Sequence, residues 1–110
     1  MKVELKLTPE NFLIIGATLQ PVYNSKAHTR REKSTVSIAL DVVSRFDSKI
    51  SSIKGKLSLF DAKKRVKITL KHHEGDMLEL LLLDQIKFIE ETYVRQQVQS
   101  TIDQLNQKLA

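Results

Sequence analysis

The chain has 110 residues, no cysteine and a formal net charge of +5. One domain with a core of its own is the expected scale, and disulfides, thiolate metal sites and cysteine nucleophiles are excluded by composition. The charge is uneven: residues 26–71 carry thirteen basic and four acidic side chains, residues 74–110 three basic and seven acidic, so the basic middle can attract the acidic end of the same or a second copy.

Val3, Leu5 and Leu7 alternate with Lys2, Glu4 and Lys6, the period of a strand with one wet face. The same charged start lacks the apolar stretch of a signal peptide. The longest apolar runs, FLII and LELLLLDQI, are too short or too interrupted to span a bilayer. A cytoplasmic chain with no membrane contact is expected.

Thr8 suits a helix N-cap, Pro9 the first helical position and Glu10 the positive helix end. Phe12, Leu13, Ile15, Ala17 and Leu19 continue at helical spacing. Pro21 is expected to end this helix, because it biases Gln20 away from the αR region. NSKAHTRREKS, residues 24–34, then reads as a basic link with Lys26, Arg30, Arg31 and Lys33.

A second helix is expected over most of 34–60. Ala39, Val43, Phe46, Ile50, Ile53, Leu57 and Phe60 step alternately by four and three, a heptad seam. Gly55 inside it costs about 1 kcal/mol relative to alanine. Val36, Ile38, Leu40 and Val42 also alternate like a strand, so 34–43 admits a strand, with the helix starting near 42. Ser44, Ser48, Ser51, Ser52, Lys49 and Lys54 read as its solvated flank.

From Arg65 the plan repeats. Val66, Ile68 and Leu70 alternate with polar residues, HHEGD follows, and Met77–Leu83 is apolar. A link near 84–91 precedes a last helix whose stripe is Val94, Val98, Ile102, Leu105 and Leu109. Laying Lys56-Leu57 on Lys108-Leu109 puts Ile53 on Leu105, Ile50 on Ile102 and Phe46 on Val98.

The fold expected is α+β in a single domain, 1–110, built of two pseudo-repeated strand-helix-helix units, roughly 2–60 and 65–109. A small antiparallel sheet is covered on one face by about four helices. The two outer strand edges are expected to stay open and to invite pairing with a second copy.

Three groups of residues invite a functional reading. His72, His73, Glu74 and Asp76 resemble a metal site in composition. Adjacent histidines on an extended segment face opposite ways, however, and zinc sites use helical or paired-cluster spacing. The joint is expected to be structural, with Glu74 or Asp76 capping a helix and Gly75 supplying a turn. Lys26, Arg30, Arg31 and Lys33 with Lys63, Lys64, Arg65 and Lys67 could form one phosphate-binding patch, although few aromatics are present to stack bases. The stripes Phe46, Ile50, Ile53, Leu57 and Val98, Ile102, Leu105, Leu109 face either the core or a subunit interface.

No glycine-rich phosphate loop, nucleophile elbow or oriented histidine is visible. The reading is a non-enzymatic accessory module without cofactor, a homo-oligomer (a dimer) that binds another macromolecule, most simply a protein. The alternative is a nucleic-acid-binding module using the 24–34 loop and the 63–71 strand face.

Overall fold

The computed structural model describes residues 2–56 and 64–110. In chain order these form β1 (Lys2–Leu7), α1 (Pro9–Leu19), a 3-10 turn (Gln20–Asn24), α2 (Arg30–Lys56), β2 (Val66–Lys71), α3 (His72–Ile86) and α4 (Thr92–Leu109). The architecture is α+β, a two-stranded antiparallel sheet with four helices. Among the described residues no helix is long and apolar enough to cross a membrane.

The period-2 alternation of β1 puts Val3, Leu5 and Leu7 inside, and in β2 Ile68 and Leu70 join them. The register pairs Val3 with Leu70, Leu5 with Ile68 and Leu7 with Val66. Two strands cannot shield such a face alone, so the helices cover it. α1 contributes Phe12, Ile15 and Leu19, and α2 contributes Ala39, Val42, Val43 and Phe46. α3 contributes Leu78 and Leu82, and α4 contributes Val98, Ile102 and Leu105. The rings of Phe12 and Phe46 meet at the centre, 5.7 Å apart and tilted. Each buried valine, leucine, isoleucine or phenylalanine among them stabilises the fold by roughly 1.5–3 kcal/mol. Ile50, Ile53 and Leu109 pack on the core while half-buried. The stripe residues Leu57 and Phe60, and the basic Lys63, lie outside the described residues.

α2 is one helix where the sequence admits a strand. The alternation of Val36, Ile38, Leu40 and Val42 loses to helical packing: Val42 is buried beside Ala39, Val43 and Phe46, one face of a 3.6-residue period. The helix also begins inside the expected 24–34 link. Thr29 Oγ1 accepts from the Glu32 N–H at 3.1 Å, and Glu32 Oε2 accepts from the Thr29 N–H at 3.2 Å. This reciprocal box starts the helix at Arg30. The link is therefore short.

α1 ends differently from expectation too. Gln20 stays in the αR region, and the chain tightens into the 3-10 turn that carries Pro21. The missing proline N–H falls where the helix is already changing its hydrogen-bond period, so Pro21 narrows the coil instead of stopping it.

HHEGD is not a joint before α3 but its first turn. Glu74, not Asp76, meets the free N–H groups: its Oε1 accepts from the Lys71 N–H at 2.8 Å. The Lys71 side chain carries only donors and so offers no acceptor in return. Gly75 makes no turn, since no described glycine has positive φ. It is buried in the helix, with Val3 and Leu109 side-chain atoms 3.4–3.5 Å from where a Cβ would sit.

Candidate functional site

A groove of about 530 Å3 runs between the solvent side of α2 and the outer edge of β2. Ser44, Ser48 and Ser52 line one wall at every fourth residue, with Arg45 and Lys49 beside them. That spacing stacks each set along one helical ridge. Lys67, Ile68 and Thr69 form the other wall. Among the described residues the lining therefore holds three cations, several hydroxyls and strand backbone, and no carboxylate.

The pairing pattern fixes which backbone groups point into the groove. In antiparallel strands, alternate pairs turn their N–H and C=O groups away from each other. Lys6 and Lys67 are such a pair. The Lys6 N–H donates to Gln104 Oε1 at 3.0 Å, and Gln104 Nε2 donates to the Lys6 C=O at 3.4 Å, both on the outer side of β1. The backbone of Lys67 must then face the outer side of β2, which is the groove.

The two sheet edges are thus not open in the way the sequence suggests. Gln104 of α4 occupies β1 as a strand would, with one donor and one acceptor. On β2, Arg45 Nη2 donates to the Thr69 C=O at 2.6 Å. A polar side chain on a covering helix blunts each edge, a recognised way to prevent indiscriminate pairing. Among the described residues of the groove wall, the outward-facing N–H and C=O of Lys67 and the N–H of Thr69 have no side-chain partner.

Arg45 also reaches back. Its Nη1 donates to Glu74 Oε1 at 2.6 Å, so one guanidinium joins α2, β2 and the start of α3. Burial would push the Glu74 carboxyl up. The Lys71 N–H, the Arg45 guanidinium and the nearby His73 outweigh it and hold the group below its ordinary value. Glu74 is thereby kept charged, and Arg45 is held across one end of the groove.

The outer face of the sheet continues this positive surface. Lys2 lies opposite Lys71 and Lys6 opposite Lys67, with Glu4 opposite Thr69 between them. All four lysines are exposed. Glu4 approaches Lys67 Nζ at 3.6 Å, and the face remains cationic. Like charges directly opposite on a sheet are destabilising, so the free protein carries an unfavourable arrangement that an anionic partner would relieve.

The basic residues singled out from sequence are split apart. Lys67 enters the groove, and Lys64 and Arg65 lead into β2. Lys26 precedes α2, while Arg30, Arg31 and Lys33 occupy its first turn. Lys33 and Ser44 are separated by about 16 Å of helix rise. The two groups do not make one patch. Arg45 and Lys49 take the place beside Lys67 instead. His72 and His73 are exposed, Glu74 is engaged by Arg45, and the described residues contain no group of three or more side chains placed to hold a metal ion.

Sequence reasoning passed over Arg45 and Gln104 and read Ser44, Ser48, Ser52 and Lys49 as a solvated flank. The four-residue spacing of those serines was the available signal. It became informative only once β2 lay opposite. Comparison with known proteins finds no matching family model, no matching curated protein and no matching solved structure.

Proposed function

We propose that the chain is a non-catalytic module that binds another protein, taking an acidic, extended segment of it into the groove between α2 and β2. The observation that carries this reading is the outward-facing backbone of Lys67, set among Arg45, Lys49 and Lys67 side chains. An extended polypeptide can use both the N–H and the C=O of a strand edge, with alternate side chains meeting pockets or charges. Acidic side chains in such a segment would meet the three cations, and serine hydroxyls would satisfy the remaining carboxylate oxygens. A serine nucleophile needs an adjacent base, and the neighbours here are cations, which supports binding over catalysis.

A nucleic-acid backbone is the second reading, favoured by the lysines of the outer sheet face together with the groove hydroxyls. Phosphate contacts use arginine, lysine and serine in this way. The strand backbone favours protein over DNA, because a deoxyribose-phosphate chain has no donor for the Lys67 C=O.

The two strand-helix-helix units are best explained as a duplication. Laying Pro9 on His72 places Phe12 on Gly75, Ile15 on Leu78 and Leu19 on Leu82, all buried. It also places Leu5 on Ile68, its own partner across the sheet.

The test is a Lys49→Glu, Lys67→Glu variant. Binding of a labelled peptide of alternating glutamate and threonine should fall at least tenfold against wild type, with the circular dichroism spectrum unchanged. Equal binding by both proteins would reject the groove as the site. Loss of binding to a short DNA duplex, with none to the peptide at the outset, would move the assignment to the second reading.

A further inference from the structure

We propose a second, separate interaction surface: the outward face of α3, on which a second copy of this chain docks the first turns of its α2. Leu80 and Leu83 stand one turn apart on this face and are 55% and 46% exposed, and Phe88 just beyond the helix is 69% exposed. Asp76 and Asp84 sit one turn before and after Leu80, and Glu90 and Glu91 follow Phe88. An apolar centre with an acidic rim is the layout of a docking site rather than of an ordinary solvated helix face.

The surface already accommodates a cation. Lys87 bonds Asp84 at 3.1 Å and lies 5.5 Å from the centre of the Phe88 ring. Arginine makes the same contact more favourably, since its planar group stacks on an aromatic face while pairing with a carboxylate.

The matching segment is the start of α2. Residues 30–35 of α2 are exposed, and Val36 and Ile38 behind them are half-buried and do not join the core packing of the described residues. Arg30, Arg31 and Lys33 supply three cations there. Glu32, the acidic residue among them, is held by the backbone N–H groups of His28 and Thr29. The segment therefore presents positive charge and two aliphatic side chains, the complement of the α3 face.

The charge and apolar complementarity of these two surfaces point to another copy as the occupant, because they cannot meet within one chain. α2 packs against the core side of α3, and a continuous helix cannot bend round to reach the opposite side of its neighbour. Two copies can exchange these contacts reciprocally, which closes the assembly at a dimer.

Light-scattering mass after size exclusion tests this with two variants, Arg30→Glu with Arg31→Glu, and Asp84→Lys with Glu90→Lys. All four positions are exposed, and circular dichroism verifies folding. Wild type should run at twice the chain mass at low salt and shift toward the chain mass at high salt. Each variant alone should run at the chain mass. Their equimolar mixture should recover the doubled mass, because each altered α2 then meets an altered α3 face and each native α2 a native one. A wild-type mass equal to one chain at every concentration, a dimer indifferent to either variant, or a mixture that stays monomeric overturns the proposal.

Discussion

Arg45 is the residue on which most of the site depends. It spans the Thr69 C=O and the Glu74 carboxylate, so it fixes one end of the groove and neutralises a nearly buried charge. Replacing it by alanine leaves Glu74 with the Lys71 N–H as its one hydrogen-bond donor among the described residues. The expected cost is about 1–3 kcal/mol, the range for orphaning a buried polar partner, kept at the lower end by the solvent exposure of the arginine. Arg45→Lys should recover only part of this, since one ammonium cannot serve two acceptors in a fixed fork. Urea midpoints of the three proteins give the comparison. The same group sets an acid limit. The Glu74 carboxyl lies below its ordinary value in the folded protein, so its contribution is fully present above the unfolded pKa, about 4.3. It is lost as the pH falls through the lower folded value. Glu74→Gln should flatten that part of the stability curve. Gly75 gives a residue-scale test of opposite sign. It occupies a helix with ordinary space for a methyl group, so Gly75→Ala should raise stability by about 0.5–1 kcal/mol through helix propensity. A turn-forming glycine would respond with a loss.

At the scale of elements, what could be read from the sequence was whatever depends on local period. The alternation in Lys2–Leu7 and Val66–Lys71 gave both strands, and Thr8-Pro9 gave the start of α1 at the observed residue. The last helix followed from Val94, Val98, Ile102 and Leu105. The start of α2 was also written locally, as Thr29-Arg-Arg-Glu32, but a dense basic stretch masked it. The groove was not legible, because Ser44, Lys49 and Lys67 are far apart in sequence and join only through tertiary packing. Two predictions belong here. Thr29→Ala should fray the first turn of α2, raising amide exchange at residues 30–34 while the global unfolding midpoint moves little, since those residues carry no core contact. Lys2→Glu should place a carboxylate opposite Lys71 and stabilise the free protein by a few tenths of a kcal/mol. If the outer sheet face helps attract an anionic partner, the same change should weaken binding, measured in parallel by thermal melting and peptide titration.

For the whole molecule, charge is organised along the fold. Its long axis measures 47 Å, and α2, at about 1.5 Å per residue, extends along most of that length. One end of α2 lies beside β2 and forms the groove, while the other carries exposed cations. The acidic residues gather on α3 and the following link. This arrangement accounts for the imbalance between the middle and end of the sequence without requiring one continuous nucleic-acid surface. The proposed function requires the strand edge at Lys67 to receive an extended acidic segment. Nuclear magnetic resonance reports on it directly, through amide shifts and exchange during titration with the glutamate–threonine peptide. Shifts should concentrate at residues 44–52 and 67–69, with the Lys67 amide becoming protected from exchange. Shifts centred on residues 30–33, or a Lys67 amide that exchanges as fast with saturating peptide as without it, would contradict the proposed function.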